Sequence, residues 1–149
     1  MTIRVLVADD QAMIRGALAG LLDLERDIEV VAQAADGAQA LEELGRLAES
    51  SGPTRTNAPA DVAIIDIEMP RMDGITATQA IRARFPGVRV LIVTTFGRPG
   101  YLQRALEAGA TGFMVKDAPV ETLADGVRTV AAGGRAIDQS LALEALSTG

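Results

Sequence analysis

The chain has 149 residues, 48% of them hydrophobic, enough for one domain with a sizeable core and a short appendage. A net charge of -6 argues against nucleic-acid binding by this chain itself, since phosphate contact needs a basic face. With no Cys and no His, disulfides, thiol chemistry and the commonest metal ligand are excluded, so any metal must be held by oxygen.

Thr2 to Ala8 (TIRVLVA) is β-branched and mostly apolar, as a buried strand should be, and it ends in Asp9-Asp10. Gln11 to Leu24 follows with Ile14, Leu18, Leu21 and Leu22 at helical spacing, and Asp10 is the expected N-cap. Two acids exceed what one cap needs. Ile28 to Ala32 is a second strand, and Asp36-Gly37 opens a helix with Ala40, Leu41, Leu44 and Leu47 on one face. Ser50 to Ala60 (SSGPTRTNAPA) has neither periodicity and is expected to be an exposed excursion with a solvated Arg55. No charged leader precedes the first strand and no apolar run reaches bilayer-spanning length, so a cytoplasmic protein with no membrane partner is expected.

The central stretch is DVAIIDIEMPRMDG, Asp61 to Gly74. Val62 to Ile65 is too uniformly apolar for a half-exposed strand, so burial on both faces is expected, and Asp66 closes the run. Met69-Pro70 and Asp73-Gly74 then stop the strand and turn the backbone. Asp66 therefore belongs at a strand's carboxyl end, the rim where open α/β sheets bind ligands.

Ile75 to Phe85 is the third helix, stopped by Pro86-Gly87, and Val88 to Thr94 is the fourth strand, ending in the hydroxyls of Thr94 and Thr95. Arg98 to Ala108 gives a fourth helix, Thr111 to Val115 a fifth strand closed by Lys116, and Pro119 to Ala132 a last helix stopped by Gly133-Gly134. Five alternating strand and helix units imply a parallel sheet covered on both faces by right-handed crossovers. Residues 133–149 read as a linker in which Asp138 caps a short helix containing Leu141, Leu143 and Leu146.

On one rim, Asp9, Asp10 and Asp66 would repel one another unless protonated or neutralised. A divalent cation solves that problem, and oxygen ligands without His or Cys favour Mg²⁺ or Mn²⁺. Lys116 and Thr94 would add an ammonium and a hydroxyl, a set suited to a phosphoryl group in transfer.

These motifs, Asp9-Asp10 in VADD, Asp66 in IIDIEMPRMDG, Thr94 in LIVTTF and Lys116 in GATGFMVKD, occur in an order that resembles a response-regulator receiver domain of a two-component system. The resemblance covers about residues 2 to 132 and implies a flavodoxin-like doubly wound five-stranded sheet of order 2-1-3-4-5. It further implies that Asp66 accepts a phosphoryl group from a sensor histidine kinase. Asp10 and Asp66 would bind Mg²⁺ directly, Asp9 through water, and the Glu68 backbone carbonyl would add a ligand. Lys116 would pair with the acyl phosphate and Thr94 would donate to it on switching inward. Phe113 lies where the family carries an aromatic switch residue; a buried core Phe is the equally open reading.

The segments VTTFGRPGYLQRALEAGATGFMVKDAP and AGGRAIDQSLALEAL are similar to the NarL/LuxR-type subgroup, whose receivers precede a helix-turn-helix domain. No basic recognition helix follows, so DNA contact would require a helix-turn-helix domain absent from this chain. The subgroup also implies a homodimer on phosphorylation, here assigned to the first and last helices with Ala12, Leu24, Val127 and Ala131. Two other functions remain open. A phosphohydrolase with Asp66 as covalent nucleophile would want an Asp general acid where Glu68 stands. A pseudo-receiver would act as a phosphorylation-independent interaction module. No turnover of a separate substrate is expected.

Overall fold

Strands that are apolar on both faces can be buried only between two layers of helices, and the chain folds accordingly. The computed structural model describes residues 2–50, 58–95 and 100–138. The elements are β1 (Ile3–Ala8), α1 (Ala12–Asp23), β2 (Ile28–Ala34), α2 (Gly37–Ser50), β3 (Val62–Asp66), α3 (Gly74–Arg84), β4 (Arg89–Thr94), α4 (Tyr101–Ala108), β5 (Gly112–Val115), α5 (Val120–Ala131) and β6 (Ala136–Ile137). All strand pairs are parallel and the order is β2-β1-β3-β4-β5-β6. The flavodoxin-like α/β fold and the order 2-1-3-4-5 hold as expected.

Alternation along the strands divides the core in two. Val5, Val7, Val62, Ile64, Leu91, Val93 and Met114 pack with α1 and α5. Leu6, Ala63, Ile65, Val90, Ile92 and Phe113 pack on the opposite face with α2, α3 and α4. All five residues of β3 are buried, as the uniformly apolar run requires of the strand at the sheet's centre.

Three expectations are corrected. The segment after Gly134, read as linker, contributes a sixth strand: Ala136 and Ile137 pair with Gly112 and Phe113, and the Asp138 amide donates to the Phe113 carbonyl at 2.8 Å. Two residues are too few to show strand periodicity, and the edge of β5 supplies the template. The short helix expected from Leu141 onward lies outside the described residues, as do Arg55 with most of its loop and the first two residues, 98–99, of the expected fourth helix. Asp10 does not cap α1, because the helix starts one residue late; Gln11 takes the cap position without a side-chain bond. Finally, Val127 is fully buried under the sheet and cannot serve a dimer face, whereas Leu24 is 78% exposed. Ile14 and Leu21 also point outward, because α1 is apolar around most of its circumference and buries only Ala19 and Leu22.

Gly74 is where the fold is least forgiving. It opens α3 directly against β3, and its amide donates to the Ile67 carbonyl at 2.8 Å. A Cβ there would lie 2.3 Å from the Asp66 carbonyl oxygen, a backbone atom held by the central strand. Asp73 caps the helix by accepting from the Thr76 amide at 2.8 Å, and the buried Thr78 hydroxyl donates to the Gly74 carbonyl at 2.7 Å. Gly74→Ala should therefore cost about 3 kcal/mol or more in urea denaturation, the upper range for overpacking, because neither backbone can retreat.

Candidate functional site

Register builds the site. Ala8 lies beside Ile65, so the next residues along each strand, Asp9 and Asp66, meet at the same level of the rim. Asp66 is aligned with Val93 and Thr94 with Val115, which brings Thr94 and Lys116 to that level from the other side. The Lys116 amide donates to the Thr94 carbonyl at 2.8 Å and fixes where the lysine leaves β5.

The result is a crevice of about 180 Å³ lined by Asp10, Gln11, Asp66, Glu68, Thr94, Thr95 and Lys116. One carboxylate oxygen from each of Asp9, Asp10 and Asp66 lies within 4.8 Å of the others. Asp9, Asp66 and Thr94 are buried, Asp10 and Glu68 are exposed, and the Lys116 side chain is 8% exposed. Phe113, 1% exposed, sits in the core below the rim, packed with the α2–α3–α4 face.

Lys116 is the shared cation. Its Nζ lies 3.2 Å from Asp66 Oδ2 and 2.7 Å from Asp9 Oδ2. The contact to Asp66 is a hydrogen bond, and the shorter one to Asp9 is a buried ion pair. Asp9 Oδ1 accepts from the Gln11 amide at 2.9 Å, and the Arg15 guanidinium donates to the Asp9 carbonyl at 2.7 Å. One ammonium does not neutralise three carboxylates. Burial foremost, with the charges of Asp9 and Asp10 adding to it, pushes the Asp66 carboxyl up to about 6 against the pull of Lys116. Burial also disfavours the Lys116 charge, but Asp9 and Asp66 outweigh it and raise the ammonium above its ordinary range.

Every residue singled out in the sequence for this rim is brought to it, with Asp9 behind the crevice wall and Phe113 beneath. Gln11 and Thr95 also line the crevice; Thr95 shares with Thr94 the signal of a strand-end hydroxyl, whereas Gln11 has only its adjacency to Asp10. Arg71 carries a left-handed backbone at φ 66°, and its guanidinium bonds the buried Asp36 carboxylate. Nothing in a sequence reports a pairing across 35 positions.

A parallel sheet with three carboxylates, a hydroxyl and a lysine at its carboxyl rim defines a receiver-type site, and comparison with known proteins agrees. Residues 5–128 match the response regulator receiver domain, and the chain belongs to that family. It is 40% identical over 139 residues to YvfU, an uncharacterised transcriptional regulatory protein of Bacillus subtilis, a match covering 93% of this chain and 64% of that one. It is also 40% identical over 133 residues to the transcriptional regulatory protein DesR of Bacillus subtilis, covering 89% of this chain and 60% of the relative. The chain thus spans about three fifths of the length of the curated relatives it matches. Among solved structures, the signal receiver domain of NarL from Mycobacterium tuberculosis superposes with a TM-score of 0.77 at 32% identity, covering 89% of this chain and 98% of that one. A LuxR-family response regulator from Aurantimonas gives 0.84 at 28% identity over 99% and 97% of the two chains. The protein is a two-component receiver domain whose relatives are NarL/LuxR-type response regulators. Among the described residues, no helix is long and apolar enough to cross a membrane.

The raised Asp66 carboxyl has a consequence for stability. As pH rises from 3.8 toward about 6, the unfolded chain gives up this proton before the folded one, so the folded state loses stability through that window. The loss amounts to about 3 kcal/mol once both states are ionised. In metal-free buffer Asp66→Asn should therefore raise the urea midpoint at pH 7.5 and give little or no advantage at pH 4; a gap independent of pH would contradict this origin.

Proposed function

We propose that this domain is a phosphorylation-driven switch in which Asp66 accepts a phosphoryl group from a phosphohistidine on a sensor histidine kinase. The observation that carries the reading is the convergence of Asp9, Asp10, Asp66, Thr94 and Lys116 on one crevice at the strand ends. An Asp66 carboxylate oxygen forms the new O–P bond as the N–P bond breaks, and the electron pair leaves with the imidazole of the donor. The acceptor must be ionised, which Lys116 favours. Thr94 stands at the rim where its hydroxyl can donate to a phosphoryl oxygen, and Phe113 of β5 is buried below it where packing can register the change.

The donor set fits a hard divalent cation, Mg²⁺ or Mn²⁺. Three carboxylate oxygens are gathered within 4.8 Å of one another, none of the ligands is soft, and a single ammonium leaves their charge incompletely offset. Asp10, Asp66 and the Glu68 backbone carbonyl would hold the ion directly, with Asp9 behind them acting through water. Bound there, the cation supplies charge neutralisation for the carboxylates and the phosphoryl oxygens. Catalysis in this reading is confined to the domain's own Asp66. Glu68 lines the crevice, but it stands where a phosphohydrolase of this kind would want an Asp as general acid. The direct test is intact-mass measurement after acetyl phosphate and Mg²⁺. A single phosphoryl addition absent from Asp66→Ala is expected, whereas no addition to the wild type would leave the pseudo-receiver reading, an interaction module without chemistry.

The output we propose is self-association through α1, by which a cytoplasmic regulator could pass the signal on. Met13, Leu24, Leu21 and Ile14 are 88%, 78%, 48% and 41% exposed along that helix. Arg128 of α5 ties the connection after α1 in place through Glu25 at 2.7 Å and Asp27 at 2.8 Å. The two helices are thereby tied together, with Ala12 and Leu24 exposed and Ala131 half-buried. Contact with DNA would belong to a helix-turn-helix domain, as the transcriptional-regulator relatives suggest. In sedimentation velocity with Mg²⁺ and beryllofluoride, the wild type should shift from monomer to dimer. Leu24→Glu should remain monomeric while still being modified at Asp66. A dimer that survives this substitution would move the interface elsewhere.

A further inference from the structure

The loop between β3 and α3 carries a strained turn that the site as described does not use. Its base is closed by the Gly74 amide donating to the Ile67 carbonyl at 2.8 Å, and its tip by the Met72 amide donating to the Pro70 carbonyl at 2.7 Å. That second bond spans three residues and centres on Arg71, whose φ of 66° makes it a γ-turn of the rare strained hand in a residue that is not glycine. Such a turn persists only where its surroundings hold it. Here they do so twice. The Arg71 guanidinium reaches Asp36 through Nη2 and through Nε at 2.9 Å. The Gly37 amide donates to the Met72 carbonyl at 3.1 Å. Asp36 is itself fixed: it is 1% exposed, and its other oxygen accepts from the Gln39 amide at 2.8 Å, capping α2. Gly37 admits no side chain, since a Cβ would lie 2.7 Å from the Met72 carbonyl oxygen. The tip of the loop is thus strapped to the N-terminus of α2, and Glu68, which lines the crevice beside Asp66, lies between that strap and β3.

We infer that Arg71 is a positioning residue: its pairing with Asp36 holds the loop so that the backbone around Glu68 is set at the distance from Asp10 and Asp66 that a divalent cation needs. This rests on the metal-dependent phosphoacceptor reading proposed above. Arg71 touches neither the acidic cluster nor Lys116, and it acts only by restricting where the loop can sit. Without the strap, the loop remains anchored at Ile67 and Gly74 but its middle is free to relax, and a cation must then order it on binding.

The test compares the whole chain with Arg71→Gly and Arg71→Lys. Glycine takes the left-handed turn without strain and leaves the Asp36 cap of α2 intact, so the variant should fold. Lysine keeps the charge and loses the two-pronged contact. Affinity for Mg²⁺ alone is measured by calorimetry, modification by acetyl phosphate is followed by intact mass across Mg²⁺ concentrations, and amide exchange is read in metal-free protein. Arg71→Gly should bind Mg²⁺ about tenfold more weakly, as when a partner that orients a metal ligand is lost. It should need correspondingly more Mg²⁺ for half-maximal modification and reach the wild-type rate at saturation. The Gly37 and Met72 amides should exchange faster, and Arg71→Lys should recover part of the affinity. Faster exchange with unchanged Mg²⁺ affinity would make the strap purely structural and overturn the inference. A wild type that neither binds Mg²⁺ nor is modified at Asp66 would overturn the functional reading and the inference with it, a failure visible before any variant is compared.

Discussion

Everything at the rim depends on a charge imbalance: three carboxylates share one buried ammonium. Lys116 reaches Asp9 and Asp66 together, and the local sum of charge still stays negative. In a place largely withdrawn from water such an imbalance is expensive, and it is felt as the upward displacement of the Asp66 carboxyl. A core selected for stability alone would replace the cluster with apolar side chains. The surplus of negative charge is what a bound cation would relieve, so the cluster makes sense as a site rather than as part of a core.

That imbalance can be sustained because the scaffold below it is rigid. The central strand is buried along its whole length, its two faces belong to different halves of the core, and the helix that follows begins in direct contact with it at Gly74. Strand register then does the positioning. Asp9 and Asp66 are neighbours because β1 and β3 are aligned, and Lys116 joins them because β5 is aligned with β4. The side chains of Asp9, Asp66, Thr94 and Lys116 are placed by the ends of four parallel strands cut at the same height.

This is also why so much was legible from the amino acids. Apolar runs closed by Asp66, Thr94 and Lys116 name both the strand and the end that matters, and parallel connectivity places all such ends on one side. Less legible were features set by geometry between distant segments. The cap of α1 shifted because the backbone after Asp9 turns one residue later than the pattern implies. Val127 and Leu24 are both apolar helical residues, and only packing separates the buried one from the exposed one. β6 was missed because two residues carry no period. The Arg71–Asp36 pair was missed because a charged residue in a turn normally signals solvent.

The sixth strand gives the molecule a mechanical property. Ala136, Ile137 and Asp138 are stitched to Thr111, Gly112 and Phe113 along the outer side of β5. The same strand carries Phe113 in the core and runs into Lys116 at the rim. β5, four residues long, thus joins the core position of Phe113 to the rim position of Lys116. Residues 136–138 are held to the strand that leads into Lys116 by backbone hydrogen bonds, with no side chain required as intermediary.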